Sequence, residues 1–127
     1  MPTRAHEFDA GLDLYSAYDD VYIYPRNSEL FDTGVHIQLP KNTVGFLKSK
    51  SGLNVKSGIT SEGVIDVGYT GSIMVKLYNH SDNPYRVRKG DKISQLVILP
   101  CLLPELEVVE TLEDTERGTG GFGSTGR

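Results

Sequence analysis

The chain has 127 residues, enough for one domain core and too few for two. Hydrophobic residues make up 38% and charged residues 24%, which excludes both a disordered chain and a membrane-embedded one. The formal charge of -4 argues against a nucleic-acid polymer as partner, because that affinity comes from cations neutralising phosphates, while a small anionic ligand stays open. In chain order, short β-rich runs recur, each bounded by Gly, Pro, Asn or Asp. Val21-Tyr22-Ile23-Tyr24 stops at Pro25. Val35, Ile37 and Leu39 alternate with His36 and Gln38 and stop at Pro40, and Thr43 to Leu47 follows a Lys-Asn turn. A short helix fits residues 51–57. Ile73, Val75 and Leu77 alternate with Met74, Lys76 and Tyr78, and Tyr85 to Arg88 alternates again. Ile93 to Leu99 is nearly continuous in apolar residues, as in a strand covered on both faces.

Strands of this spacing predict an all-β barrel or double-sheet sandwich. Tyr15, Tyr18, Tyr22, Tyr24 and Tyr78 are large for a solvated face, so part of that surface is expected to meet another subunit. A single cysteine excludes an internal disulfide or a Cys-based zinc site, and Cys101, among leucines and a proline, reads as a buried inert thiol. No apolar run reaches the roughly 18 residues of a bilayer span. Met1 to Glu7 lacks a hydrophobic signal core, so a soluble, intracellular protein, cytoplasmic or otherwise, is expected, with no membrane partner.

Five segments concentrate chemistry. Ala10-Gly11-Leu12-Asp13-Leu14 sets one acid between apolar neighbours, either a satisfied turn residue or the holder of a metal-bound water. Lys48-Ser49-Lys50-Ser51-Gly52-Leu53 interleaves cations with hydroxyls and can present donors to an anion. Gly63-Val64-Ile65-Asp66-Val67-Gly68-Tyr69-Thr70-Gly71 reads as a hairpin whose acid can serve as a general base and whose aromatic can pack on a sugar. It is equally an ordinary turn with a capping Asp. In Gly90-Asp91-Lys92-Ile93-Ser94-Gln95-Leu96, Gln95 is polar inside an apolar strand and needs partners, a role a phosphate oxygen can fill. After an acid-rich stretch from Glu105 to Glu116 comes Arg117-Gly118-Thr119-Gly120-Gly121-Phe122-Gly123-Ser124-Thr125-Gly126-Arg127, too rich in glycine for a packed strand. Its ring and its donors suit stacking on a base and wrapping phosphates.

Together, and in this order, the five motifs resemble those of the trimeric deoxyuridine triphosphatase (dUTPase) family over nearly the whole chain. The resemblance implies a jelly-roll β-sandwich, a homotrimer with three sites between subunits, a β domain at residues 1–116, and a flexible tail at 117–127 completing a neighbour's site. It implies Mg²⁺-dependent hydrolysis of dUTP to dUMP and pyrophosphate, which limits uracil in DNA and supplies dUMP for thymidylate synthesis. Asp66 would activate water for in-line attack on the α-phosphate, and Tyr69 would pack on the deoxyribose and exclude a 2′-hydroxyl. Gly63, Val64, Ile65 and Met74 would read uracil. Lys50, Ser51, Gly52 and Gln95 would hold phosphates, and Asp13 would orient water on Mg²⁺. Arg117 and Phe122 would close over the nucleotide, with Gly123, Ser124 and Thr125 at the γ-phosphate end. A dUTPase-like regulatory protein with a protein partner is the alternative. A dCTP deaminase relative fits less well, since it would carry a catalytic glutamate in place of the Asp66 pattern.

Four departures stand out. Lys50 replaces the family's usual arginine, and an ammonium cannot reproduce a bidentate fork. Thr70 and Ser72 stand where arginine and an acid are common, positions suited to trimer contacts or hairpin support. Thr60-Ser61-Glu62 is short compared with many relatives. Relatives usually carry a strand before the segment matching Pro2 to Ala5, and its lack would expose a sheet edge that something must cover.

Overall fold

The computed structural model describes residues 1–126, so Arg127, the end of the expected tail segment, lies outside the described residues. The elements are β1 (Gly11–Tyr15), β2 (Val21–Ile23), β3 (Ser28–Asp32), β4 (Thr43–Lys48), α1 (Ser51–Ser57), β5 (Ile59–Ile65), β6 (Met74–Asn79), β7 (Tyr85–Val87) and β8 (Lys92–Pro100). A six-stranded antiparallel sheet runs β1-β8-β4-β5-β6-β3, and β2 pairs with β7 in a separate ribbon. The sheet curls at β5. Its first residues, Ile59 to Ser61, pair with β6, and Glu62 to Ile65 pair with β4. The chain is all-β apart from α1.

Alternation explains the core. In β6, Val75 and Leu77 point inward while Met74, Lys76 and Tyr78 point out. They meet Leu14, Ile23, Phe31, Ile59, Ile73, Val87, Ile93 and Leu96, each at most 1% exposed. Asn79 shares this inward face and is fully bonded. Its Nδ2 donates to the carbonyls of Ile23 (2.7 Å) and Asn83 (2.8 Å), and its Oδ1 accepts from Ser81 N–H and Oγ. That satisfaction offsets the cost of burying an amide and ties β6 to the small ribbon. The helix, at the expected bounds, ends on Gly58 in the left-handed region (φ 66°), whose N–H reaches back to the Asn54 and Leu53 carbonyls.

Three expectations need correction. Val35 to Leu39 is alternately buried as predicted but forms no strand. Among the described residues its one backbone bond to another segment is the Val35 carbonyl accepting from Ile73 N–H (2.8 Å). β8 is covered on both faces only in its first part, because Ile98 and Leu99 are exposed beyond Val97. Cys101 is half-buried, since the chain leaves the sheet there. β1, β3 and β5 carry no clear alternating run in the sequence, yet each is a strand. The outer edge of β1 is met by Thr3, which exchanges backbone bonds with Asp13 (3.2 and 2.7 Å). No helix among the described residues is long and apolar enough to cross a membrane.

Candidate active site

Two small cavities gather the predicted residues, and they share no lining residue. The first, about 230 Å³, is lined by Asp13, Lys50, Gln95 and Gly11 with Asp9, Val97 and their neighbours. Antiparallel register puts Asp13 of β1 opposite Gln95 of β8 on one face. Gly11 makes room for that glutamine: a Cβ there would meet Gln95 Oε1 at 2.0 Å. Gln95 Nε2 donates to the Ser49 carbonyl (2.9 Å), so its partner in this chain is backbone rather than a phosphate. An amide nitrogen carries two N–H groups, and the second has no partner among the described residues.

Asp13 is 2% exposed. Lys50 Nζ donates to its Oδ1, and Lys92 Nζ lies 2.9 Å from its Oδ2. Oδ2 nevertheless has no hydrogen-bond donor in acceptable geometry among the described residues, so the Lys92 contact is an ion pair only. Burial pushes the carboxyl pKa up, but the Lys50 hydrogen bond and the positive charges of Lys50 and Lys92 outweigh it and hold the group below its ordinary value. The partner Lys92 is correspondingly raised by its pairing with the Asp13 carboxylate.

Lys92 had no role at the level of sequence, and the reason is a β-bulge. The register runs Asp13↔Gln95 and Leu14↔Ser94, then jumps to Tyr15↔Lys92. Strict alternation would put Lys92 on the face of Ser94 and Leu96. The extra residue, Ile93, turns it to the Asp13 side. Two successive buried residues, Ile93 and Ser94, are the only trace of this in the burial pattern.

The second cavity, about 170 Å³, is lined by Val64, Ile65, Asp66, Tyr69 and Met74, which are all predicted site residues. It sits at the turn joining β5 to β6. Tyr69 N–H donates to the Asp66 carbonyl (3.0 Å), closing the turn, and Tyr69 OH donates to the Ser72 carbonyl (2.7 Å). The ring lies over Gly71, where a Cβ would meet the phenol oxygen at 2.6 Å. Asp66 is exposed, and Gly63 packs against Leu47 in the strand just before.

The remaining predicted residues join neither cavity. Ser51 and Gly52 open the helix, both exposed, and Gly52 faces open space. From Leu102 to Gly126 there is no strand or helix. The tail turns on itself, with Arg117 Nε donating to the Gly120 carbonyl (2.7 Å), and it encloses a space of its own lined by Arg117, Ser124 and Thr125 among others. Phe122 is fully exposed with φ 47°, and Gly123 has φ 87°. Among the described residues no group of three or more His, Cys, Asp or Glu side chains gathers to hold a metal.

A family model described as dUTPase matches residues 1–126. The chain belongs to the dUTPase family. A deoxyuridine 5'-triphosphate nucleotidohydrolase of Gloeothece citriformis is 47% identical, the match covering 99% of this chain and 88% of that protein. One of Mus musculus is 45% identical, over 99% of this chain and 78% of that protein. Among solved structures, the dUTPase of Staphylococcus bacteriophage 80alpha with dUPNHPP superposes with a TM-score of 0.91 at 35% identity, covering 100% of this chain and 92% of that one. A mutant dUTPase from phage phi11 of S. aureus, described as revealing the coordination of a structural Mg(II) ion, gives 0.81 at 31% identity, over 90% and 92%. In this dUTPase-family chain the motifs therefore divide by cavity. The Asp66 and Tyr69 motif fills one, Asp13, Lys50 and Gln95 fill the other, and the tail motif stands apart from both.

Proposed function

We propose that the protein is a dUTP diphosphatase, hydrolysing dUTP to dUMP and pyrophosphate by in-line attack of water on the α-phosphate, in a homotrimer of jelly-roll subunits. The observation that carries this reading is the hairpin cavity, where Asp66, Tyr69, Val64, Ile65 and Met74 meet within one turn of the chain. Asp66 takes the proton of the attacking water, an exposed carboxylate at the cavity rim. Tyr69 offers its ring to the deoxyribose, held by its hydroxyl and by contact with Gly71, so a 2′-hydroxyl would meet the ring. Gly63, Val64, Ile65 and Met74 read uracil along the strand ends that flank the turn.

Lys50, Ser51, Gly52 and Gln95 receive the phosphates of a nucleotide seated on a neighbouring copy's hairpin. Three features support a divided site: the cavities share no residue, Gly52 is exposed with open space where a Cβ would stand, and one N–H of Gln95 has no partner among the described residues. A triphosphate carries close to four negative charges, so charge neutralisation and alignment dominate its hydrolysis. Lys50 changes anion, leaving Asp13 for phosphate. Lys92 keeps Asp13 paired meanwhile.

Asp13 fits a role toward Mg²⁺: it is buried and ionised, borders the anion cavity, and has one oxygen without a hydrogen-bond donor. It would hold the ion indirectly, through bound water, and Mg²⁺ would supply charge neutralisation on the triphosphate. A β domain at 1–116 carries these groups, and the segment 117–127 closes over a neighbour's nucleotide. In that closure Arg117 meets phosphate, Phe122 stacks on uracil, and Gly123, Ser124 and Thr125 lie at the γ-phosphate end. Exposure of Leu102, Leu106, Val108 and Leu112 on the arm leading to this segment supports docking on another copy.

The test is pyrophosphate release from dUTP, dTTP, dCTP and UTP with Mg²⁺. Strong preference for dUTP is expected, and equal rates would overturn the assignment.

A further inference from the structure

The turn that carries Asp66 and Tyr69 is tied down by a segment with no assigned role. Its second half, Thr70 to Ile73, makes four kinds of contact to residues 32–36, the last residue of β3 and the four that follow it. Ser72 Oγ donates to Asp32 Oδ1. His36 Nδ1 lies 2.8 Å from the Thr70 carbonyl. A carbonyl only accepts, so that nitrogen carries the proton. The Ile73 carbonyl accepts from Thr33 N–H (3.1 Å) and Thr33 Oγ1 (2.7 Å), and Ile73 N–H donates to the Val35 carbonyl (2.8 Å). Asp32 is itself fixed, since the same Oδ1 accepts from Gly34 N–H (2.9 Å).

The consequence falls on Tyr69. Its hydroxyl donates to the carbonyl of Ser72, the residue whose side chain Asp32 holds, and its ring rests on Gly71, which lies between the two tethered residues Thr70 and Ser72. The position of the ring is thus set by Thr70 and Ser72, and these are set by His36 and Asp32. The first half of the hairpin is held differently, by the β4–β5 ladder through Phe46↔Val64 and Gly45↔Ile65.

We propose that Asp32 and His36 are positioning residues for sugar discrimination, acting through Ser72 and Thr70 to hold the Tyr69 ring where a ribose 2′-hydroxyl would collide. The inference rests on the dUTPase reading and on Tyr69 meeting the sugar. It separates two kinds of selectivity within one hairpin: the sugar is read by the half braced from 32–36, and the base chiefly by Gly63, Val64 and Ile65 in the half held in the ladder, with Met74 fixed by its own pairing in β6.

The experiment compares kcat/KM for dUTP, UTP and dCTP in the full chain with Mg²⁺, for the parent, His36→Leu, Ser72→Ala and their double variant. Ratios between substrates cancel any loss of folded enzyme. Each single variant should lower the dUTP:UTP ratio roughly three- to tenfold, the size of one lost hydrogen bond read as a rate ratio. The dUTP:dCTP ratio should stay within about twofold. His36→Asn keeps a side-chain N–H donor and Ser72→Thr keeps the hydroxyl, so both should restore most of the sugar ratio. Unchanged ratios in the double variant, or sugar and base ratios falling together, would overturn the proposal. A parent enzyme that fails to separate dUTP from dCTP would instead overturn the functional reading beneath it.

Discussion

Gly11→Ala tests the cavity around Asp13 and Gln95 with one methyl group. Gly11 is not in the left-handed region, so alanine fits its backbone, and its smaller unfolded-state entropy favours folding by about 0.4–1 kcal/mol. Against this, the new Cβ would stand 2.0 Å from Gln95 Oε1, 3.0 Å from Cδ and 3.2 Å from Cβ. The amide can swing away, but its stem must also give, which places the cost near the low end of overpacking, about 1 kcal/mol. Swinging breaks the 2.9 Å bond from Nε2 to the Ser49 carbonyl, worth about 1 kcal/mol net. The balance is about 1 kcal/mol of destabilisation, or roughly 4 °C in Tm at fixed protein concentration. Pyrophosphate release should suffer more than stability, because the displaced amide loses its place beside Lys50. Thermal melting and kcat/KM for dUTP are the assays. In the double variant Gly11→Ala with Gln95→Ala, the overpacking part of the cost should disappear, an interaction readable as non-additivity. A Gly11→Ala protein that melts at or above the parent and keeps its kcat/KM would refute the claim that glycine is there to seat Gln95.

Asp66→Asn should preserve nucleotide binding, measured with dUMP, while lowering kcat by about 10²–10⁴-fold, the usual worth of a positioned base. Deleting residues 118–127 should cripple kcat yet leave sedimentation of the assembly unchanged; full activity would reduce the motif to an ordinary tail. Acid unfolding should report Asp13. Its folded pKa is held below the ordinary value, so its ion pairing stabilises above the unfolded pKa near 3.8 and is lost as pH falls through the folded value. Urea melts between about pH 5 and 2 should therefore lose less stability in Asp13→Asn than in the parent.

What the residues disclosed in advance depended on whether local chemistry and tertiary pairing agreed. The helix Ser51–Ser57 was legible from its place after the Lys-Ser-Lys-Ser-Gly segment, though its glycine stop at 58 shows only in the structure, and β6 because its alternation is also its burial. Val35 to Leu39 shows the limit of that signal: alternation reports which side chains are covered, and says nothing of whether the backbone has a neighbour to pair with. Ser28 to Asp32 and Ile59 to Ile65 contain serine, acid or glycine where a strand is usually apolar, and their pairing with β6 and β4 overrides that local preference. Asp66, Tyr69, Val64, Ile65 and Met74 were legible as one cluster because they are close in sequence. Asp13, Lys50 and Gln95 were legible only through motif order. Lys92 was illegible, because a bulge decides its face.

The pairing of β1 with β8 has a consequence for how a ribosome delivers this protein. Residues 64–74 emerge together, so the hairpin that holds Asp66 needs only its own neighbourhood, the β4 ladder and the 32–36 brace, all of which precede it in the chain. The cavity around Asp13 cannot be assembled until Gln95 and Val97 appear, eighty or more residues after the strand they complete. Until then Asp13 waits as a solvated acid, and burial of its charge is postponed to a moment when Lys50 and Lys92 are both at hand to receive it. The order of synthesis thus spares the nascent chain an unpaired buried carboxylate.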